Sequence, residues 1–73
     1  MYELRGGTGS VRFGAERVEI VSVTPAPAYT VHAIDQRGPL EIEVELRSDD
    51  DGRSRLGAWW GDGPQERIEE RAG

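Results

Sequence analysis

The clearest pattern in the chain is a strict alternation of apolar and charged residues over 40–47. The apolar positions are Leu40, Ile42, Val44 and Leu46, and the charged positions are Glu41, Glu43, Glu45 and Arg47. Successive side chains of a β-strand point to opposite faces, so this period of two predicts a strand with one buried and one solvated face. We expect the three glutamates to lie on the solvated face, balanced by Arg47 and Arg55.

Turn residues divide the rest of the chain into further short segments of strand character. We expect strands over 2–5, 10–13, 17–24 and 29–35, with turns at 6–9, 14–15 and 37–39. The segment 63–73 stays open between a helix that begins at Pro64, a last edge strand and a frayed end. The sequence therefore predicts one all-β domain over 1–73. It is a small antiparallel meander of five to six strands forming a barrel or sandwich, with a short C-terminal helix as one option.

The register of the hairpin after residue 40 can be chosen by what each register would bury. A three-residue loop, Asp50–Gly52, with its glycine in the left-handed conformation sets Leu46 opposite Leu56 and Ile42 opposite Trp60. Every pair on the inner face is then apolar. We therefore expect this register and a buried Trp60.

The preceding hairpin has two candidate registers. A two-residue loop at Arg37-Gly38 pairs Ala33 with Ile42 and leaves His32 on the outer face, whereas a three-residue loop buries His32 and Ile34. We prefer the two-residue loop because it buries apolar side chains and keeps the imidazole in solvent.

Together these registers place a row of candidate binding residues on the outer face. The row consists of His32, Glu43 and Trp59 on neighbouring strands, flanked by Ile34. An exposed tryptophan beside polar groups is typical of an interface anchor and also suits stacking on a sugar ring. The alternative is that the C-terminal segment, through Ile68, folds over the indole and makes it part of a second small core.

Size and composition limit how the domain is stabilised and what it can hold. The 73 residues include no cysteine and a single histidine, His32, which excludes a disulfide, a thiolate metal site and a multi-histidine site within one chain. Domains of this size have a marginal core, so we expect either tight packing or a homo-oligomer. We predict no metal and no cofactor.

The charge balance limits the class of partner. The net charge is −5, which argues against nucleic-acid binding because phosphate neutralisation normally supplies most of that affinity. All nine basic residues are arginine, and with Gly, Ala and Pro abundant this composition is typical of a GC-rich bacterial genome. No stretch has the length of a membrane span, and residues 1–5 lack the features of a signal peptide, so we expect a soluble cytoplasmic protein.

Familiar catalytic and ligand-binding motifs are missing from the sequence. Gly6–Ser10 has turn chemistry but lacks the lysine of a phosphate-binding loop. Asp49–Asp51 are consecutive, so their carboxylates cannot converge on one calcium ion, and we expect a turn there. There is no cysteine nucleophile, and His32 is the one candidate base for the serines. We therefore expect no enzyme of a motif-bearing class.

The features favour a protein-interaction or regulatory module that self-associates and offers either its Trp59 face or an unpaired edge strand to a partner. Three alternatives stay open. A carbohydrate-binding or small-ligand-binding module would use Trp59 as its platform. An acidic mimic of nucleic acid would use the three glutamates of the alternating strand and Asp49–Asp51. A small oligomeric enzyme would use His32 and Glu43 as acid and base at a subunit boundary.

Overall fold

The computed structural model describes residues 1–15 and 17–71, and within them the chain forms seven β-strands. They are β1 (Tyr2–Leu4), β2 (Gly7–Gly14), β3 (Arg17–Pro25), β4 (Tyr29–Gln36), β5 (Glu41–Ser48), β6 (Arg53–Gly61) and β7 (Gly63–Arg71). The first three form one antiparallel sheet and the last four form another, each in chain order. The predicted antiparallel all-β class is confirmed. The predicted five to six strands are wrong in number, and over the described ranges the two sheets do not close into a barrel.

The additional strand is β7, which forms from the segment that the sequence leaves open. It pairs with β6 along its length, and only Asp62 separates the two strands. Gly63 has a φ of 101°, a conformation that a side chain would strain, and this permits the tight reversal. Pro64 is the second residue of an edge strand, a position where proline is tolerated, and the helix considered there is not formed. Residues 72–73 lie outside the described residues, which contain no helix that could cross a membrane.

Two of the three glycines near the N-terminus, Gly7 and Gly9, belong to a strand rather than to a turn. β2 begins at Gly7, so the turn comprises Arg5 and Gly6 instead of residues 6–9. A Cβ atom at Gly7, where φ is 143°, would lie 2.1 Å from the carbonyl oxygen of Thr24, so this position requires glycine. Gly14 also lies in β2, where it pairs with Arg17, so the prediction that it belongs to a two-residue loop at 14–15 is wrong.

The loop between β5 and β6 begins one residue earlier than predicted. The amide of Ser48 donates to the carbonyl of Gly52 at 2.9 Å, and the Ser48 hydroxyl accepts a hydrogen bond from the Gly52 amide at 2.9 Å. Asp51, not Gly52, takes the left-handed conformation, with φ of 67°. Aspartate tolerates this conformation better than most residues with a side chain, so the glycine was a misleading marker of the turn.

Because the loop lies one residue earlier in the chain, the β5–β6 register is displaced by two residues. Ile42 lies opposite Ala58 rather than Trp60, and the other pairs are displaced equally. A shift of two leaves each side chain on its predicted face, so the apolar face of β5 is buried as expected. Leu40 is the exception, at 43% exposed, because it precedes the strand. Trp60 is half-buried instead of fully enclosed.

Neither predicted register of the β4–β5 hairpin is observed. Its loop lies further along the chain, and it is closed by a hydrogen bond from the amide of Arg37 to the carbonyl four residues later, at 2.8 Å. Ala33 therefore lies opposite Glu45 instead of Ile42. A bulge at His32 then shifts the remaining pairs by one residue. Bulges of this kind depend on local backbone conformation and leave no clear mark in the hydrophobic pattern.

An apolar cluster joins the two sheets at one end of the molecule. Val18 of β3, Ile42 of β5 and Ala58 of β6 are buried there, and Trp60 packs beside them. The Trp60 ring meets that of Phe13 edge to face, with centroids 5.5 Å apart. The indole N–H of Trp60 donates to the carbonyl of residue 17 at 2.9 Å, which satisfies its one polar group.

A polar contact joins the sheets toward the other end. The buried Ser54 hydroxyl accepts from the amide of Gly6 at 3.0 Å and donates to a carboxylate oxygen of Glu70 at 2.8 Å. The same oxygen of Glu70 accepts from the amide of Arg5 at 2.6 Å. A Cβ atom at Gly6 would lie 2.8 Å from the ring of Tyr29, so the close approach requires glycine.

Each free edge of the sheets carries a feature that discourages pairing with another strand. β1 has three residues. Bulges interrupt β3 at Val21 and β4 at His32. β7 has Pro64 as its second residue and is mostly charged beyond it. The fold therefore favours contact with other molecules through a face rather than an edge.

Candidate functional site

The outer face of the four-stranded sheet carries a groove, which we call the outer groove. Its volume is about 230 Å³, and it is lined by Glu41, Glu43, Arg55, Gly57, Trp59, Arg67 and Glu69. The lining residues come from β5, β6 and β7. They alternate with buried residues along β5 and β6, so the same period of two that builds the core also builds this groove.

Two glycines on β6 create the space around Trp59. Gly57 and Gly61 stand two residues before and after it, and so they lie on the same face. A Cβ atom at Gly57 would meet nothing within 4 Å, whereas one at Gly61 would lie 3.6 Å from Nε1 of Trp59. The indole therefore leans toward Gly61 and leaves the backbone at Gly57 open as the floor of the groove. Glycine at both i−2 and i+2 of a tryptophan is the sequence signal that could have predicted this site.

The neighbours of Trp59 on the adjacent strands are polar. It lies opposite Glu41 on β5 and Gln65 on β7. Ile68 pairs with Leu56, whose side chain is buried on the inner face, so Ile68 does not fold over the indole. Trp59 is half-buried, and its surroundings are charged rather than apolar.

The structure brings the residues of the predicted row onto one face only in part. His32, at the bulge of β4, has its Nε2 atom 4.0 Å from Oε2 of Glu45, so its carboxylate neighbour is Glu45 and not Glu43. Trp59 lies opposite residue 41, two positions from Glu43. Ile34 pairs with the buried Val44, which places it on the opposite face of the sheet.

Glu45 is the buried charge of the outer face, although the sequence predicts it to be solvated. It is 7% exposed because Arg47 and Arg55 fold over it. Arg55 Nη2 donates to Oε1 at 3.0 Å, and Arg47 Nε donates to Oε2. Burial alone raises the pKa of Glu45, but the hydrogen bonds from Arg55 and Arg47 outweigh burial, so its pKa lies below the ordinary 4.5.

The guanidinium groups of the outer groove are already engaged. Arg55, bound to Glu45, also has its Nε atom 3.9 Å from Oε1 of Glu43, and this buried N–H has no hydrogen-bond partner among the residues that the structure describes. Arg67 Nη1 lies 3.7 Å from a carboxylate oxygen of Glu69. Glu41, by contrast, forms no salt bridge within 1–15 and 17–71. The groove therefore has surplus negative charge at its tryptophan end.

The far end of the same face is basic. Arg47, Arg53 and Arg71 lie opposite one another on three adjacent strands. Like charges placed directly across a sheet repel, so this row is not explained by folding stability. A face that holds both signs of charge does not support the acidic mimic of nucleic acid, which requires one sign over a continuous surface.

A second concavity lies at the end of the molecule beside the apolar cluster. It is an open hollow of about 560 Å³ lined by Phe13, Gly14, Ala15, Leu40, Trp60 and Gly61. The one polar side-chain group among them, the indole N–H of Trp60, is already hydrogen-bonded to a carbonyl. Small-molecule sites need a few free polar groups to orient the ligand, and the side chains of this hollow offer none.

Residues considered for metal binding or catalysis do not converge in the described part of the chain. No group of three His, Cys, Asp or Glu side chains is placed to hold a metal ion there. In the aspartate loop, Asp50 instead accepts a hydrogen bond from the Ser48 hydroxyl at 2.5 Å. The acid–base pair expected from His32 and Glu43 has no contact between the two side chains among the described hydrogen bonds and salt bridges.

Comparison of the chain with protein-family models, with curated proteins and with solved structures finds no match. No relative therefore supplies a role for the residues of the outer groove. Their chemistry has to be inferred from their own geometry and charge.

Replacing the buried carboxylate tests its electrostatic role. We expect Glu45→Gln to lower the free energy of unfolding at neutral pH by about 1–3 kcal/mol, because hydrogen bonds to charged partners are lost. The contribution of a carboxylate with a depressed pKa is fully present above its unfolded value of 4.5 and is lost as pH falls through its folded pKa. Urea unfolding should therefore show the difference between the two proteins narrowing below that pH.

The matched control is Glu41→Gln, which removes an exposed carboxylate without a salt-bridge partner among the described residues. Its effect should stay within about 0.5 kcal/mol. A difference in the free energy of unfolding between wild type and Glu45→Gln that stays constant across the acid range would show that Glu45 is not held ionised by its arginines.

Proposed function

We propose that the chain is a cytoplasmic protein-interaction module that binds its partner through the outer groove. The observation that carries the proposal is Trp59, half-buried between two glycines in a groove with charges of both signs. Tryptophan and arginine are enriched among the residues that dominate binding energy at protein interfaces. Here a tryptophan and two arginines line one small groove, which is the composition of an interface centre.

The size of the groove favours protein side chains over a small molecule. Its volume of about 230 Å³ is below the roughly 300–1,000 Å³ of sites that enclose small ligands. A carbohydrate-binding or cofactor-binding role is therefore less well supported. A partner's side chain inserted beside Trp59, with the surrounding charged side chains forming a polar rim, suits these dimensions.

A face contact is also supported by the condition of the edges. The edge strands are short, bulged or highly charged, and such features oppose the addition of a strand. β5 and β6, in contrast, pair with one another without a bulge, and so do β6 and β7. Regular strands hold side chains in fixed positions, which lowers the entropy lost on binding.

Filling the groove without disturbing the fold provides the test. We expect Gly57→Val to abolish partner capture, because its side chain would occupy the floor of the outer groove. A Cβ atom at this position meets nothing, and valine suits a strand, so stability should be retained. The measurement is affinity capture from an extract of the source cells with cross-linking, followed by mass spectrometry of the bound proteins.

The matched control is Gly14→Val, because Gly14 also has open space for a Cβ atom but lies at the apolar hollow. The proposal requires a protein that is captured by wild type and by Gly14→Val and lost with both Gly57→Val and Trp59→Ala. Capture that survives both groove variants would refute it.

A second candidate function, self-association, is favoured by apolar side chains that the three-stranded sheet does not cover. Val31 and Ile34 pair with the buried Leu46 and Val44, so they point to the side of the other sheet. They are nevertheless 40% and 51% exposed. A second copy of the chain that covered them would remove apolar area from water.

Light scattering tests this second candidate. If copies associate through β4, Ile34→Ser should weaken the association, because a buried apolar contact is replaced by a hydroxyl. Leu40→Ser is the control, since Leu40 is similarly exposed but lies at the apolar hollow. A wild-type mass equal to the monomer at high concentration would remove self-association, and equal weakening by both variants would place the contact elsewhere.

A further inference from the structure

The charges of the outer groove indicate the sign of its ligand. Of its five charged side chains, three are glutamates and two are arginines. Arg55 is engaged by Glu45 and Glu43, and Arg67 is engaged by Glu69. An anion would have to compete with these carboxylates for the same guanidinium groups, so the groove disfavours one.

Glu41 is the carboxylate of the outer groove that is available to a ligand. Within the described residues it forms no salt bridge, and it is exposed at the end of the groove nearest Trp59. Glu43 adds a second carboxylate whose contacts with Arg37 and Arg55 are long, at 3.6 and 3.9 Å. The overall charge of −5 also attracts a basic partner.

Trp59 supplies the second recognition element for a cation. Directly opposite residues in an antiparallel pair have Cβ atoms about 4.5–5.5 Å apart, and Trp59 is opposite Glu41. A cation held by the Glu41 carboxylate is therefore within reach of the indole ring, which attracts cations placed within about 6 Å of its centre. The bare backbone of Gly57 provides the room for the aliphatic stem of such a ligand.

We infer that the outer groove binds the cationic side chain of a lysine or arginine of the partner protein, held between the Glu41 carboxylate and the Trp59 indole with its stem over Gly57. This inference rests on the proposed function for the identity of the partner as a protein. The recognition chemistry itself can be measured without that partner.

The test uses n-butylammonium and n-propylguanidinium as analogues of the two side chains, at constant ionic strength. We expect both to shift the indole N–H resonance of Trp59 saturably, with a Kd on the order of 10–100 mM for one cation–π contact and one ion pair. The indole N–H of Trp60 is bonded to a carbonyl at the other face and serves as the internal reference. Butyrate and n-butanol are the anionic and neutral probes, and they should leave Trp59 unshifted.

Variants of one carboxylate locate the site. Glu41→Gln should weaken n-butylammonium binding by about two- to fivefold, the size of an exposed ion pair. Glu3→Gln makes the same change in net charge on the other sheet and should leave the affinity unchanged. Equal affinity for n-butanol or butyrate, equal effects of the two variants, or no saturable shift up to about 0.2 M would overturn the inference.

Failure of this inference can be distinguished from failure of the proposed function. A captured partner that depends on Gly57 and Trp59, but whose affinity is unchanged by Glu41→Gln, would leave the proposed interaction module in place and refute the cation site. Saturable, Glu41-dependent binding of n-butylammonium, together with partner capture that survives Gly57→Val, would support the cation site and refute the proposed function.

Discussion

The structure depends on the alternation of side chains along β5. Ile42, Val44 and Leu46 point between the sheets and make the core, while the glutamates between them point outward. Because β6 pairs with this strand in a regular antiparallel register, its Leu56 and Ala58 join the core. The same pairing places Gly57 and Trp59 on the outside. The core and the outer groove are therefore two faces of one pair of strands, and neither can change register without changing the other.

The rest of the molecule holds that pair in place with few interactions. At one end the apolar cluster around Val18 packs the smaller sheet against β5 and β6. Toward the other end the hydroxyl of Ser54 joins the β1–β2 turn to Glu70 of β7. A domain of this size buries little apolar surface, so a buried and fully bonded polar contact contributes a substantial share of its stability. The small size of the domain also explains why Val31 and Ile34 stay partly exposed on the uncovered side of β4.

The sequence predicts the faces of β5 and β6 well and the registers of the hairpins poorly. The period of two over 40–47 identifies the buried face, because hydrophobicity alone decides it. Register depends on loop conformation, and neither the left-handed Asp51 nor the bulge at His32 has a distinctive apolar pattern. β7 is hidden for a related reason, since Ile68 is its one large apolar residue. Its pairing with β6 compensates for a charged sequence. The burial of Glu45 follows from Arg47 on the same strand and from Arg55, which the observed register places directly opposite Glu45.

The position of Trp59 opposite Glu41 is the claim on which the outer groove depends. The amide of Trp60 donates to the carbonyl of Leu40, so these two residues form a hydrogen-bonded pair. The next pair, Glu41 and Trp59, is therefore of the non-hydrogen-bonded kind, with Cα atoms about 4.5 Å apart. The most direct test is the pattern of Hα–Hα nuclear Overhauser effects between β5 and β6. The structure predicts strong cross-peaks between Glu41 and Trp59 and between Glu43 and Gly57. A strong cross-peak between Glu43 and Trp59 would contradict it, because the β5–β6 register would then differ by two residues and Glu41 would no longer lie opposite Trp59.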